Sequence, residues 1–207
     1  NKIAGTSGGT TIEINPSEVM PAGLTTRFAY SKDADSGNIN DKAVGGASGV
    51  LGSGWDLTVE ATSDLTGVDG LTLYAGMSEV DQYQNATTHS GDVEETVIGV
   101  KYAMGGFTVG YQVTDEETGQ TGTTGYENTS YGITFNVNDD LSVGYAHTES
   151  DESGAAKATP EADSLQVAYT MGGATFRIAE VDIENAGYST AASADTEGTV
   201  ISLGLAF

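Results

Sequence analysis

The feature that most constrains this chain is a period of two that recurs in eleven separate stretches. Within each stretch large apolar residues alternate with small or polar ones, and none shows the 3.6-residue period of an amphipathic helix. Because alternate residues of a β-strand point to opposite faces of a sheet, the pattern predicts an all-β chain. The predicted strands are Thr10–Asn15, Leu24–Ser31, Trp55–Ser63, Leu71–Glu79, Glu95–Ala103, Phe107–Thr114, Thr129–Val137, Leu141–Glu149, Ser164–Thr170, Ala174–Glu184 and Gly198–Phe207.

The connections between these strands alternate between short and long. The short ones, such as Met104–Gly106 and Asn138–Asp140, are rich in Gly, Asp and Asn, which suits tight hairpin turns. Most of the 30 acidic residues lie in the long ones, together with Thr, Ser and Gly. Short turns at one end and long loops at the other predict an antiparallel up-and-down meander.

The charge of the chain excludes one class of partner. Seven Lys and Arg stand against 30 Asp and Glu, which gives a formal net charge of −23. Since duplex binding needs basic side chains at the phosphates, we expect no nucleic-acid partner. The acidic residues are concentrated between the alternating segments, so the composition does not indicate a disordered chain.

The two faces of the predicted sheet differ in chemistry. One carries large apolar residues without a charge, as in Phe107, Val109 and Tyr111 of a single strand. The other carries mainly Gly, Thr, Ser and Ala, unlike the Lys and Glu of most water-facing sheets. A soluble sandwich also has one apolar face, so alternation alone leaves that alternative open. The small-residue face, and aromatic residues near the short turns such as Tyr102 and Phe135, favour a transmembrane barrel.

A sheet that crosses lipid must close into a barrel, because an open edge would leave backbone groups without hydrogen bonds. Ten residues at about 3.3 Å each, tilted by about 45°, span roughly 23 Å, which suits an apolar band of about 25 Å. Single-chain bacterial barrels have even strand numbers, whereas the count here is odd. We therefore expect residues 1–207 to form a single barrel domain that lacks N-terminal strands. The alternative is that the first predicted strand is wrong.

At this point the chain resembles a family, the general diffusion porins of Gram-negative bacteria, and within it the trimeric porins of alphaproteobacteria. The residues that carry the resemblance are the terminal GTVISLGLAF, the hairpins YAMGGFTVGYQVTD and YTMGGATFRIAEVD, and the segment YGITFNVNDDLSVGYAHTE. The resemblance covers the whole chain as a pattern and is specific mainly in its C-terminal half.

The resemblance implies a 16-stranded barrel of which these eleven strands are the last, with residues 1–9 ending a constriction-forming loop. It also implies a homotrimer in the outer membrane, surrounded by lipid and lipopolysaccharide. Phe207 would be the C-terminal signal read by the outer-membrane barrel assembly machinery. The function implied is a passive water-filled channel for small hydrophilic solutes and ions.

Several polar side chains are predicted to line the lumen of such a channel. Three of the seven basic residues lie about four positions from a short turn and fall on the polar face at a similar predicted height: Arg27, Lys101 and Arg177. We expect them to face the carboxylates of Asp56, Glu60 and Glu13 across the lumen and so contribute to a transverse field. The alternative is that they only neutralise neighbouring carboxylates. Gln112 and Tyr74 fall on the same face.

The acidic loops offer oxygen ligands for Ca²⁺ or Mg²⁺, with Asp115, Glu116 and Glu117 among the densest groups. No EF-hand spacing is present, and solvated surface charge is the favoured interpretation, so no cofactor is expected. The chain has no cysteine and no HExxH, GxSxG or P-loop motif, which predicts that it is not an enzyme.

Two alternatives stay open at the level of sequence. The first is a smaller outer-membrane barrel, either a twelve-stranded autotransporter translocator or a barrel enzyme. The second is a soluble acidic β-rich surface protein or adhesin. A channel should require detergent for extraction, whereas the second alternative should be released into buffer.

Overall fold

The computed structural model describes residues 11–32, 51–82, 84, 87, 89–122, 125–153 and 157–205. Eleven strands lie in these ranges and are numbered in chain order. Their bounds are β1 (Thr11–Ile14), β2 (Leu24–Ser31), β3 (Leu51–Ala61), β4 (Leu71–Gln82), β5 (Val93–Met104), β6 (Phe107–Glu117), β7 (Gly125–Asn136), β8 (Leu141–Ser153), β9 (Glu161–Met171), β10 (Ala174–Glu184) and β11 (Thr196–Leu205).

All eleven strands belong to one sheet, in which each strand pairs with the next along the chain. Every pair is antiparallel, so the chain runs up and down without a crossover. The tight turn between β5 and β6 places Gly105 at φ 58°, a left-handed conformation that glycine adopts without a steric penalty. The all-β meander predicted from the sequence is confirmed.

The connections contain the few helical turns of the described residues. One is α1 (Ser63–Thr66), which joins β3 to β4, and 3-10 turns occupy Ser17–Val19 and Ala192–Ala194. No helix in the described ranges is both long and apolar enough to cross a bilayer.

Several strands are longer than predicted at the end that carries the long loops. The structure extends β8 to Ser153 and β6 to Glu117, where the predictions stopped at Glu149 and Thr114. Backbone pairing continues there through acidic residues, as in Glu95 opposite Glu116. The hydrophobic alternation therefore marked the apolar part of each strand and not its end.

The register keeps the two kinds of residue on opposite faces of the sheet. In β6 the apolar residues Phe107, Val109 and Tyr111 are exposed, whereas Thr108 and Gly110 between them are partly covered. In a curved sheet the side chains on the concave side are crowded together, so this pattern places the polar residues inside the curve. We refer to the two sides as the polar face and the apolar face.

The sheet has almost no hydrophobic core of its own. Among the described residues only Ala29 and Val80 are buried apolar side chains. Large residues on the apolar face are exposed, such as Ile98 and Leu203, with 65% and 64% of their surface accessible. Aromatic residues cluster at its short-turn end, where the rings of Phe107 and Phe135 stack with centroids 4.3 Å apart. Burial of this face requires an apolar environment outside the sheet.

Candidate functional site

A glycine allows an aromatic side chain to lie along the wall of the polar face. Tyr74 in β4 is paired through Gly99 of β5 with Gln112 of β6. The Tyr74 hydroxyl donates a hydrogen bond to Gln112 Oε1 at 3.0 Å. A Cβ at Gly99 would approach the Tyr74 ring to 2.2 Å, so only glycine leaves room for this arrangement. The structure thus brings together two of the predicted lining residues.

Arg27 lies among the predicted carboxylates on one stretch of wall. Glu13 and Asp56 both pair with Ala29, the next polar-face residue above Arg27 on β2. Glu60 pairs with Thr25, the next one below. The expectation that these acids face Arg27 across a lumen is therefore wrong, because β1, β2 and β3 are adjacent strands and their side chains are neighbours on the same wall.

Lys101 and Arg177 lie on the polar face of other strands. The row of paired residues that starts at Lys101 reaches β10 at Val181, four positions from Arg177. The row passes through Gly110, Gly132, Ala146 and Ser164. Lys101 and Arg177 nevertheless lie at comparable distances from their short turns, because tilted strands shift the rows of paired residues relative to the turns. The similar height proposed for these residues rests on this distance and stays a prediction.

The three predicted lumen cations are not neutralised by adjacent carboxylates in the described ranges. Within those residues no carboxylate oxygen lies within 4.0 Å of the charged nitrogens of Arg27, Lys101 or Arg177. All three side chains are exposed on the polar face. The alternative, in which these cations only neutralise neighbouring carboxylates, is therefore not supported by an ion pair among the described residues.

A row of acidic residues crosses the polar face nearer the long loops. It runs along paired positions from Asp56 through Ser78 and Glu95 to Glu116. The Ser78 hydroxyl donates a hydrogen bond of 3.5 Å to Glu95, which is buried, and Glu116 lies directly opposite on β6. The sequence predicts Glu95 only as the first residue of a strand. Alternation of apolar residues gives no sign that backbone pairing continues beyond the apolar band.

The loop between β10 and β11 also contacts the polar face. The hydroxyls of Tyr188 and of Ser150 in β8 lie 2.7 Å apart, and the Tyr188 ring packs against Tyr126 of β7 with centroids 5.6 Å apart. Lys157 lies beside the same ring and forms an ion pair with Glu152 at 2.7 Å. Neither Tyr188 nor Lys157 was predicted to line a lumen, because loop residues carry no alternation from which to assign a face.

A second cluster lies on the apolar face. Asp163 of β9 accepts a hydrogen bond from the Tyr145 hydroxyl and lies 3.0 Å from His147 Nδ1. The His147 ring stacks on Tyr131 at 4.9 Å. The cluster marks the upper border of the apolar band, where polar tips of aromatic residues meet charged groups as at a membrane interface.

The three acidic residues named as possible metal ligands are separated by the strand in which they lie. Asp115, Glu116 and Glu117 are consecutive residues of β6, so Glu116 points to the polar face while the other two point to the apolar face. Three other carboxylates of the described residues do lie together, with oxygens within 4.8 Å: Glu79, Asp81 and Asp92. Asp92 Oδ1 already accepts hydrogen bonds from the Gln82 amide and the Gln84 side chain. The predicted assembly signal, Phe207, lies outside the described residues.

These features define a class of fold: one antiparallel up-and-down sheet with an apolar convex face and a polar concave face, as in outer-membrane β-barrels. Solved structures with this fold are similar to the chain. One is the anion-selective porin from Comamonas acidovorans, with a TM-score of 0.66, 12% identity, and 87% of this chain and 52% of that chain covered. Another is Salmonella typhi OmpF in complex with daunomycin, with a TM-score of 0.69, 12% identity, and coverages of 94% and 61%.

A third similar structure is OmpT, an outer membrane protein of Vibrio cholerae, with a TM-score of 0.57, 15% identity, and coverages of 95% and 61%. The chain thus spans between half and two thirds of the length of the solved structures it matches. No protein-family profile and no curated protein matches the sequence. At these identities the likeness establishes the fold, which is that of the porins.

Proposed function

We propose that the protein is an outer-membrane porin of a Gram-negative bacterium, a passive water-filled channel through which small hydrophilic solutes and ions diffuse. The observation that carries the proposal is that the two faces of one sheet suit two different environments. Its apolar face is open and uncharged over the band from the short turns to Tyr111 and Tyr131, while its polar face carries ionisable side chains. Lipid suits the first face, and water suits the second.

The polar face explains how such a channel would sort solutes. Exposed guanidinium and ammonium groups at Arg27, Lys101 and Arg177 lie on the same wall as carboxylates such as Glu60 and Glu116. Fixed charges of both signs orient passing dipoles and repel ions of like charge, and no covalent step is needed. We accordingly propose that the protein is not an enzyme and requires no cofactor.

The edges of the sheet set a condition on this proposal. Within the described residues β1 pairs only with β2, and β11 pairs only with β10. Unpaired backbone groups cannot stay in hydrocarbon, so both edges must be paired when the sheet closes into a barrel in the membrane. The proposed assembly is a homotrimer surrounded by lipid and lipopolysaccharide, inserted by the barrel assembly machinery through the C-terminal aromatic residue.

Conductance of the purified protein in planar bilayers tests the proposal. We expect stepwise, ohmic current in simple salt solution, in groups of three equal steps for a trimer, and extraction from membranes only with detergent. Release of the protein into buffer would contradict its membrane location. Insertion into bilayers without conductance would be consistent with a membrane barrel but would contradict the channel function. Independent single steps would contradict only the proposed trimer.

A further inference from the structure

The loop that joins β10 to β11, residues 185–195, has a fixed internal structure. Its two arms are held together by hydrogen bonds from the Ala186 amide to the Ala194 carbonyl at 3.1 Å and from the Asn185 amide to Asp195 Oδ1 at 3.0 Å. The Asn185 side chain also donates to the Thr159 carbonyl at 3.1 Å, which ties the loop to the segment before β9. The loop is therefore anchored at its base on its neighbours.

The tip of the loop reaches sideways over the polar face. Tyr188 contacts Ser150 of β8 and Tyr126 of β7, which are two and three strands away from β10. Both contacted residues lie on the polar face, in the alternating set that includes Asn128 and Thr148. Tyr126 and Ser150 lie near the long-loop ends of their strands. The contacts therefore place the tip of the loop on the inner side of the curved sheet, at its rim.

A charged pair also contacts the Tyr188 ring. The Lys157 ammonium lies 5.8 Å from the centre of the Tyr188 ring, within the range of a cation–π interaction. It also donates to both carboxylate oxygens of Glu152 at 2.7 Å, and the Glu152 side chain is only 4% exposed. Tyr188 adopts φ 61°, a conformation costly for an aromatic residue, which persists only where surrounding contacts determine it.

We infer that the β10–β11 loop is a constriction of the channel, folded into the lumen and pinned to the wall by Tyr188 through Ser150, Tyr126 and Lys157. The inference rests on the proposed channel function and adds to it the element that narrows the long-loop end. A loop held across the path of solutes reduces the open cross-section, and its side chains are the first that an entering solute meets.

A cross-linking experiment tests the pinned loop independently of conductance. The chain has no native cysteine, so the double variant Ser150→Cys, Tyr188→Cys carries the only thiols. A short bismaleimide should join them in the folded, detergent-solubilised protein. The matched control pairs Ser150→Cys with Asp182→Cys, which lies on the apolar face of β10 and should not cross-link. Absence of the cross-link in the first variant would overturn the inference, whether or not the protein conducts.

Single-channel recording tests the constriction itself. In Ser189→Cys, a charged thiosulfonate added to the loop should lower conductance by roughly a third or more, and reagents of opposite sign should shift ion selectivity in opposite directions. Asp182→Cys carrying the same label should conduct as before. Tyr188→Ala should raise conductance and channel noise by releasing the loop. A fully labelled Ser189→Cys channel with unchanged conductance would overturn the constriction, whereas absence of current in the unmodified protein would overturn the proposed function alone.

Discussion

Gly99 determines where the Tyr74 side chain of the adjacent strand lies, because the Tyr74 ring fills the space that a Cβ at Gly99 would occupy. We predict that Gly99→Ala displaces this ring from the wall, breaks its hydrogen bond to Gln112 and lowers single-channel conductance. The matched control is Gly110→Ala on the next strand, also on the polar face, where the nearest atom to a new Cβ is 3.8 Å away. Equal conductance in the two variants would contradict the prediction.

Lys157 provides a second prediction at the scale of one residue. The neighbouring Glu152 carboxylate raises the pKa of Lys157 above its usual value of 10.5. A lysine with a raised pKa stabilises the folded contact at pH values below its usual pKa and loses that contribution as the pH rises through the raised value. We therefore expect the β10–β11 loop to stay pinned from neutral pH to 10.5 and to be released above it, with a rise in conductance.

The control for this transition is Lys157→Arg. Besides Glu152, the ionisable groups that face the ammonium are the hydroxyls of Tyr126 and Tyr188. An arginine keeps its positive charge throughout the alkaline range, so the rise in conductance should vanish in this variant. An identical alkaline transition in the wild type and in Lys157→Arg would assign it to the tyrosines and refute the role given to Lys157.

At the scale of a strand, β6 allows the two faces to be tested against each other. We predict that Val109→Lys, on the apolar face, destabilises the folded protein in lipid by about 2–4 kcal/mol, because it places an ammonium near the centre of the bilayer. Thr108→Lys is the neighbouring substitution on the polar face and should cost much less. The free energy of unfolding from vesicles, followed by denaturant titration, measures both, and equal losses would contradict the assignment of faces.

The same strand shows how far the sequence alone determines this fold. Alternation from Phe107 to Val113 was enough to predict the strand and its two faces, and the short glycine-rich turn before it predicted its antiparallel neighbour. It could not locate the end of β6, because polar residues pair in the ladder as well as apolar ones. The inward position of Tyr188 was also beyond prediction, since loop contacts depend on residues distant in sequence.

The candidate site was likewise only partly predictable from the sequence. Tyr74 and Gln112 were correctly placed on one face by alternation, but their hydrogen bond depends on a third residue, Gly99, whose role emerges only from the register. Asp115 and Glu116 are adjacent in the sequence, but the strand places them on opposite faces of the sheet. Neighbours in sequence are separated by the sheet when they lie in a strand, whereas they can converge in a loop.

For the whole molecule, the distribution of charge predicts the selectivity of the channel. Along the described strands the polar face carries more carboxylates than cations. The carboxylates are Glu13, Asp56, Glu60, Glu95, Glu116 and Glu152, and the cations are Arg27, Lys101 and Arg177. With a net charge of −23 on the chain, the lumen should attract cations.

We predict that the reversal potential in a KCl gradient reports a preference for K⁺ over Cl⁻, which weakens as salt shortens the Debye length from about 10 Å at 0.1 M to about 3 Å at 1 M. Removing the two paired wall carboxylates, Glu95→Gln with Glu116→Gln, should reduce the permeability ratio roughly twofold at low salt. The matched control is Glu94→Gln with Glu117→Gln, a pair that lies opposite each other on the same strands but on the apolar face. Both double variants lose the same total charge, so an equal effect would show that selectivity follows net charge instead of the wall. A larger effect of the polar-face pair is expected because its carboxylates border the path of the ions, whereas the control pair is separated from that path by the sheet.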